Sequence, residues 1–276
     1  MLKSLSSAVS GLQCHQTMMD VIGNNIANVS TAGFQSSQTT FSDVYYSTLK
    51  TADSGTTTTG GTNASQVGYG AQISSIDVLH STGGMTTTNR TMDQYIDGSG
   101  YFIVQDSSGN AYYSKVGHLY FDNTGNLVDS NGNFVCGKSG GTLSSNYTPE
   151  KIKVSDLSKY SSISITGTGI INGVDTTDGS TDVLGQIGLA SFVNQDALLQ
   201  AGSGYFSESA NSGKPKYGIA GETAVGALVS GALEASNVDL SKEFTDMIIA
   251  QRGFQANARV ITTSDEILQE LVNLKR

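Results

Sequence analysis

The chain has 276 residues, with 24 acidic against 15 basic side chains and a formal net charge of −9, so it lacks the basic footprint that nucleic-acid binding requires. Charged residues make up 14 % of it, against about a quarter in ordinary domains. The polar remainder is Ser, Thr, Asn and Gly, which desolvate more easily than ions and suit a subunit that packs on copies of itself.

The first ten residues, Met-Leu-Lys-Ser-Leu-Ser-Ser-Ala-Val-Ser, carry neither the apolar run nor the cleavage site of a secretory signal. No stretch of about 18 apolar residues predicts membrane insertion, and composition alone would place the chain in the cytoplasm. Leu2, Leu5, Val9, Leu12, Met19 and Ile26 follow a three-four spacing interrupted at Gln16 and Gly23, which predicts an amphipathic helix with a narrow seam. Residues 28–34 should end it, because Asn, Ser and Thr compete for backbone groups and Gly33 can take the positive φ of a helix stop.

Residues 51–66 are a Ser/Thr/Gly stretch with almost no apolar content and are expected to form a flexible loop. Short runs at 101–105, 112–115, 119–122, 163–166 and 187–192 alternate or are β-branched, and turn signals at 108–110, 123–126 and 130–133 separate them. This pattern predicts a mainly antiparallel β domain. Gly-Ser-Gly-Tyr-Phe occurs at Gly98 and again at Gly202; the flanks differ, so it reads as a tight turn feeding an aromatic strand twice over.

Leu240, Phe244, Met247, Phe254, Ala258, Ile261, Leu268 and Val272 form one stripe of a closing helix, with Gln251 and Asp265 as polar interruptions. Asn237 or Asp239 can cap it, and Lys275 and Arg276 suit its negative end. The fold class expected is α+β, two terminal helices around an inserted β domain. Neither helix is stable without burying its stripe. They can pair with each other, or with neighbouring copies in an open, head-to-tail array, in which case both ends are expected to fold only on assembly.

No catalytic, cofactor or metal site is expected. Cys14 and Cys136 are the only cysteines, too few for a disulfide framework or a zinc cluster. His15, His80 and His118 lack ligand partners at a useful spacing, and no nucleophile elbow is present. Gly167 to Gly173 lacks the spacing of a phosphate loop, and Asp129-Ser130-Asn131-Gly132-Asn133 lacks the acidic ligands of a calcium loop; both read as turns. The Asn-x-Ser/Thr triplets at Asn28, Asn63, Asn89 and Asn146 are what chance gives in so Ser/Thr-rich a chain.

Asn24-Asn25-Ile26-Ala27-Asn28 followed by Thr31-Ala32-Gly33-Phe34 resembles the N-terminal signature of the flagellar rod and hook axial proteins. Gln35 stands where that family commonly has Lys or Arg, a departure that should remove one basic contact. Ser236-Asn237-Val238, Glu243-Phe244, Met247-Ile248, Gln251-Arg252, Phe254-Gln255 and Asn257, closing with Thr263, Asp265, Leu268 and Leu271, resemble its C-terminal signature, and Asp97 to Phe102 its first core strand. The resemblance implies a non-enzymatic subunit without cofactors, exported unfolded through the flagellar type III apparatus and polymerised into a tube. The terminal helices would form the inner tube, a coiled-coil-like core, and the β domain would lie outside.

On this reading the chain divides into a core helix (1–34), an extended segment (35–75), a β-rich outer domain (76–225) and a C-terminal segment with core helix (226–276). The assembly seam would be Leu5, Val9, Leu12, Met19 and Ile26 with Leu240, Phe244, Met247, Phe254, Ile261, Leu268 and Val272. Partners would be copies of the chain, rod, junction and cap proteins, and the export apparatus. The length and the ending after Asp265 resemble a compact Gram-positive hook subunit, a flexible joint transmitting torque. A distal rod subunit is the alternative, since 51–66 lies where rod proteins can carry a stiffening segment. A secreted β-rich adhesin or enzyme is the contrasting class.

Overall fold

In the computed structural model, which describes residues 2–55, 60–143, 147–222 and 225–274, a helix opens the chain and another closes it. These are α1 (Leu2–Ala27) and α2 (Leu240–Leu274), about 39 and 52 Å long at 1.5 Å per residue. Between them the described residues form twenty strands, all paired antiparallel, so the architecture is α+β.

The chain divides into two compact units. The first holds α1, α2 and residues 37–78, which form β1 (Ser37–Asp43), β2 (Tyr46–Lys50), β3 (Ser65–Gly68) and β4 (Ala71–Val78). β1 pairs with β4 from Ser37↔Val78 to Asp43↔Ala71, and this ribbon packs on α1. Gly70 makes that contact possible, because a Cβ there would overlap Ser10 Oγ.

β2 and β3 form a second ribbon, and past it Asp53 and Thr62 exchange two backbone hydrogen bonds of 2.9 and 3.0 Å. The stretch expected as a free loop is therefore drawn into a hairpin as far as it is described; residues 56–59 lie outside the described residues. Composition hides this hairpin because Lys50 and Ser65 to Val67 are exposed, and a strand with little to bury carries no apolar alternation.

The second unit comprises residues 28–36 and 79–237. Its strands in chain order are β5 (Met85–Thr87), β6 (Gln94–Asp97), β7 (Tyr101–Gln105), β8 (Ala111–Ser114), β9 (Leu119–Phe121), β10 (Leu127–Asp129), β11 (Phe134–Ser139) and β12 (Glu150–Lys151). They continue with β13 (Tyr160–Ile165), β14 (Ile170–Asp175), β15 (Thr181–Ser191), β16 (Leu199–Gly202), β17 (Tyr205–Ser207), β18 (Lys216–Ile219), β19 (Ala227–Ser230) and β20 (Ala232–Glu234).

The main sheet runs β13-β14-β15-β11-β7-β8-β17-β16, so the five runs picked out in the sequence all contribute strands to one sheet or to its β9–β10 flap. Ile96, Phe102, Val104, Leu119, Leu127, Val135, Ile171, Ile187 and Leu189 form the dry core, and burial of about 2 kcal/mol per side chain drives it. The two Gly-Ser-Gly-Tyr-Phe segments flank a single strand: Phe102 on β7 and Tyr205 on β17 both pair with Ser114 of β8.

One five-residue turn, Asp-x-x-Gly-Asn, is used three times, starting at Asp106, Asp122 and Asp129. In each the Asp amide donates to the Asn carbonyl at 2.9 to 3.0 Å and the Gly amide returns to the Asp carbonyl. The glycines have φ of 82 to 89° in the first two and 81° in the third, a region closed to most side chains. The Asp129 carboxylate accepts from the amides of Asn131 and Asn133 and from Tyr205 Oη, which gives the segment its role as a turn.

Candidate assembly interface

Helices α1 and α2 run antiparallel and pack on each other within the first unit. The register is set by two reciprocal notches. Asn257 fills the space over Gly11, where a Cβ would come within 2.6 Å of Nδ2, and the His15 imidazole covers Gly253, where a Cβ would overlap the ring. A step of four forward along α1 thus matches a step of four back along α2.

The facing surfaces are small or polar. Gly11 and His15 of α1 meet Asn257 and Gly253 of α2. Ala8 is buried on α1 and Glu243, Ala250 and Ser264 on α2, while the buried Cys14 and Asn25 turn to the ribbon, bonding Ala71 O and Ser37. The stripe expected as the seam of α1 is centred about 70° round the helix from this contact. Leu5, Leu12, Met19 and Ile26 are half-exposed and Val9 is 41 % exposed. On α2, Met247, Phe254 and Ile261 are half-buried beside the contact, while Leu240, Phe244, Leu268 and Val272 are exposed, Phe244 at 52 % and Val272 at 65 %. From Asp265 onward every described residue of α2 is exposed, because at the register just given Leu2 falls opposite Glu266 and α1 ends there.

The signature residues do different work from the stripes. Asn25 is buried and behaves as one residue of a strand pair: Nδ2 donates to Ser37 O at 2.8 Å, and Oδ1 accepts from Ser37 N at 3.0 Å. In the second unit, Asn237 Oδ1 accepts from Ser36 N at 2.7 Å, and Nδ2 donates to Leu79 O at 2.7 Å and Gln35 Oε1 at 3.1 Å. Asp239, not Asn237, caps α2, its Oδ1 accepting from the amides of Ser241 and Lys242. Lys275 and Arg276 lie outside the described residues.

Gly33 is buried with φ of 68°, and its amide donates to Glu234 O at 2.8 Å. Thr31 Oγ1 donates to Asn28 Oδ1, and Phe34 O accepts from the Asn237 amide. Asn24, Gln251 and Arg252 are exposed.

Gln35 corrects its expectation. It is 2 % exposed, and Nε2 donates to Glu234 Oε1 at 3.2 Å. The cation beside that carboxylate is Lys115, whose Nζ lies 3.4 Å from the same oxygen, and the Gly83 amide donates to it at 2.9 Å. This buried cluster joins segments far apart in sequence. Sequence patterning misses it because Lys115 and Glu234 are 119 residues apart. It also misses the small-residue seam, whose signal is Ala8-Gly11 and Ala250-Gly253-Asn257 at three-four spacing.

No helix among the described residues is long and apolar enough to cross a membrane. Comparison with known families matches residues 5–35 to "Flagella basal body rod protein", 95–173 to "Flagellar hook protein FlgE/F/G D1 domain" and 229–274 to "Flagellar basal body rod FlgEFG protein C-terminal". The chain is 48 % identical over 277 residues to the flagellar basal-body rod protein FlgG of Bacillus subtilis, with both chains covered completely.

Two proteins of Borreliella burgdorferi are also similar. Its FlgG is 34 % identical over 279 residues, and its flagellar hook protein FlgE is 28 % identical over 443, each covering all of both chains. The hook alignment is far longer than the chain of 276 residues, so a large block of that hook protein has no counterpart here.

Proposed function

Because the chain belongs to the flagellar rod and hook family of axial structural proteins and is not an enzyme, we propose that it is the subunit of the distal rod. It polymerises with copies of itself into a stiff tube in the basal body. The observation that carries self-assembly is the helix pair: α1 and α2 meet through small and polar residues, so Val9, Phe244, Ile248 and Ile267 remain exposed on one chain. Apolar rows at helical spacing of this extent call for protein partners.

The hook role expected from length and chain ending gives way to the rod role. Whole-length similarity to rod proteins, and the unmatched block in the hook relative, support it. The β2–β3 hairpin supports it too. It occupies the position where rod proteins can carry a stiffening segment, and Tyr45, Tyr46 and Leu49 are exposed there.

The tube seam proposed is Leu5, Val9, Leu12, Met19 and Ile26 with Leu240, Phe244, Met247, Phe254, Ile261, Leu268 and Val272. Other axial proteins would join at its ends, and the flagellar export apparatus would deliver the chain. The test is electron microscopy of the purified chain at high concentration. Straight tubes are expected, and curved ones would restore the hook reading. Val9→Asp should abolish tubes while leaving the monomer folded, because Val9 touches solvent in the single chain; tubes from that variant would remove Val9 from the seam.

A further inference from the structure

One face of α2 is charged in an ordered way that its own chain does not use. Ile248, Arg252, Arg259, Glu266 and Glu270 follow one another at spacings of four and seven and lie on one side of the helix. All five are exposed. Ala250, Gly253 and Asn257, which face α1, lie on the other side. The basic pair precedes the acidic pair, so the face is positive midway and negative at its end.

None of these four charges has an ion-pair partner among the described residues; Arg252 Nη1 only donates to Gln255 Oε1 at 3.2 Å. The acids are poorly placed in the isolated helix. Glu266 and Glu270 are like charges four apart, which repel.

We propose that this face docks on α2 of a second copy, displaced along the helix axis so that the acids of one copy lie beside the arginines of the other. A parallel displacement of two heptads, about 21 Å, sets Arg252 level with Glu266 and places Glu270 between Arg252 and Arg259. The contact joins two different patches, so each copy offers its basic half to one neighbour and its acidic end to another, and the array grows without closing. The inference rests on the self-assembly proposed above and names the charged contact within it.

The experiment uses two full-length variants, Arg252→Glu/Arg259→Glu and Glu266→Arg/Glu270→Arg, with the wild-type chain, followed by sedimentation and electron microscopy. Each variant alone should raise the concentration needed for assembly about tenfold or more, roughly 1.4 kcal/mol, because its face carries a single sign. An equimolar mixture should assemble near the wild-type concentration, since one variant is then wholly acidic and the other wholly basic there. Variants that assemble separately as the wild type does would overturn the docking face and leave self-assembly standing. A mixture that fails like its components would overturn it as well, and a wild-type chain that never assembles would overturn self-assembly together with it.

Discussion

His15 lies across the bare backbone of Gly253, so the closest approach of the two long helices depends on a missing side chain. Adding a methyl group at Gly253 should favour the helix by about 1 kcal/mol but overpack the contact by about 1–3 kcal/mol. G253A is expected to lower stability by about 1 kcal/mol. A Cβ added at Gly23 would meet no atom within 4 Å, and G23A should raise stability by up to about 1 kcal/mol. Thermal melts of the monomer compare the two; equal signs would mean that the His15 notch is not closed in solution.

Lys115→Met removes the cation beside a carboxylate that is 1 % exposed. Breaking a buried pair from one side costs about 3–5 kcal/mol, and K115M should lose that much stability in denaturant titration. Adding Glu234→Gln should recover part of the loss, because the uncompensated charge is then gone. A double variant no better than K115M would show that the uncompensated Glu234 charge is not what destabilises K115M.

Asn237→Ala strips the Ser36 amide and the Leu79 carbonyl of their partner. Orphaned backbone groups cost about 1–3 kcal/mol, and hydrogen exchange at Ser36 should accelerate accordingly. Asn237→Asp keeps an acceptor for Ser36 but loses the donor, so it should protect Ser36 better than alanine does. Unchanged exchange at Ser36 in N237A would remove Asn237 from the clamp.

The Asp122 carboxyl is pushed upward by desolvation, but hydrogen bonds from the side chains and amides of Asn126 and Thr124 outweigh this and hold its pKa at about 2, below the usual 3.8. A carboxyl held low in the folded chain contributes stability above its unfolded pKa and loses it as pH falls from about 4 through 2. Melting temperatures of Asp122→Asn should therefore fall less steeply than wild type across that window. Parallel curves would show that the turn bonds do not survive in acid.

Much of the architecture was legible from pattern. Residues 101–105 read as a strand and are one, and the turn signals at 108–110, 123–126 and 130–133 fall in the hairpin loops, because alternation and turn chemistry are local. The helix contact was not legible in the same way. Hydrophobic spacing picks out Leu5, Val9 and Leu12, whereas α1 meets α2 through Ala8, Gly11 and His15. Close helix packing selects small residues, so a scan for apolar side chains finds the neighbouring face. Asn237 read as a cap candidate, yet Asp239 has that role; two acceptors two residues apart cannot be separated without knowing which backbone amides each one faces.

The hydrogen bond between Ser36 and Asn237 spans 201 residues, and it has a kinetic consequence. Joining the helices of an otherwise open chain means closing a loop of about 200 residues, whereas the hairpins of the second unit form from near neighbours. Once that unit is folded, its clamp holds the approach to α1 close to the approach to α2. The remaining search is then that of a loop of a few tens of residues, which lowers the entropy of closure by about 1–2 kcal/mol. The connectivity thereby favours forming the hairpins first and pairing the two helices last.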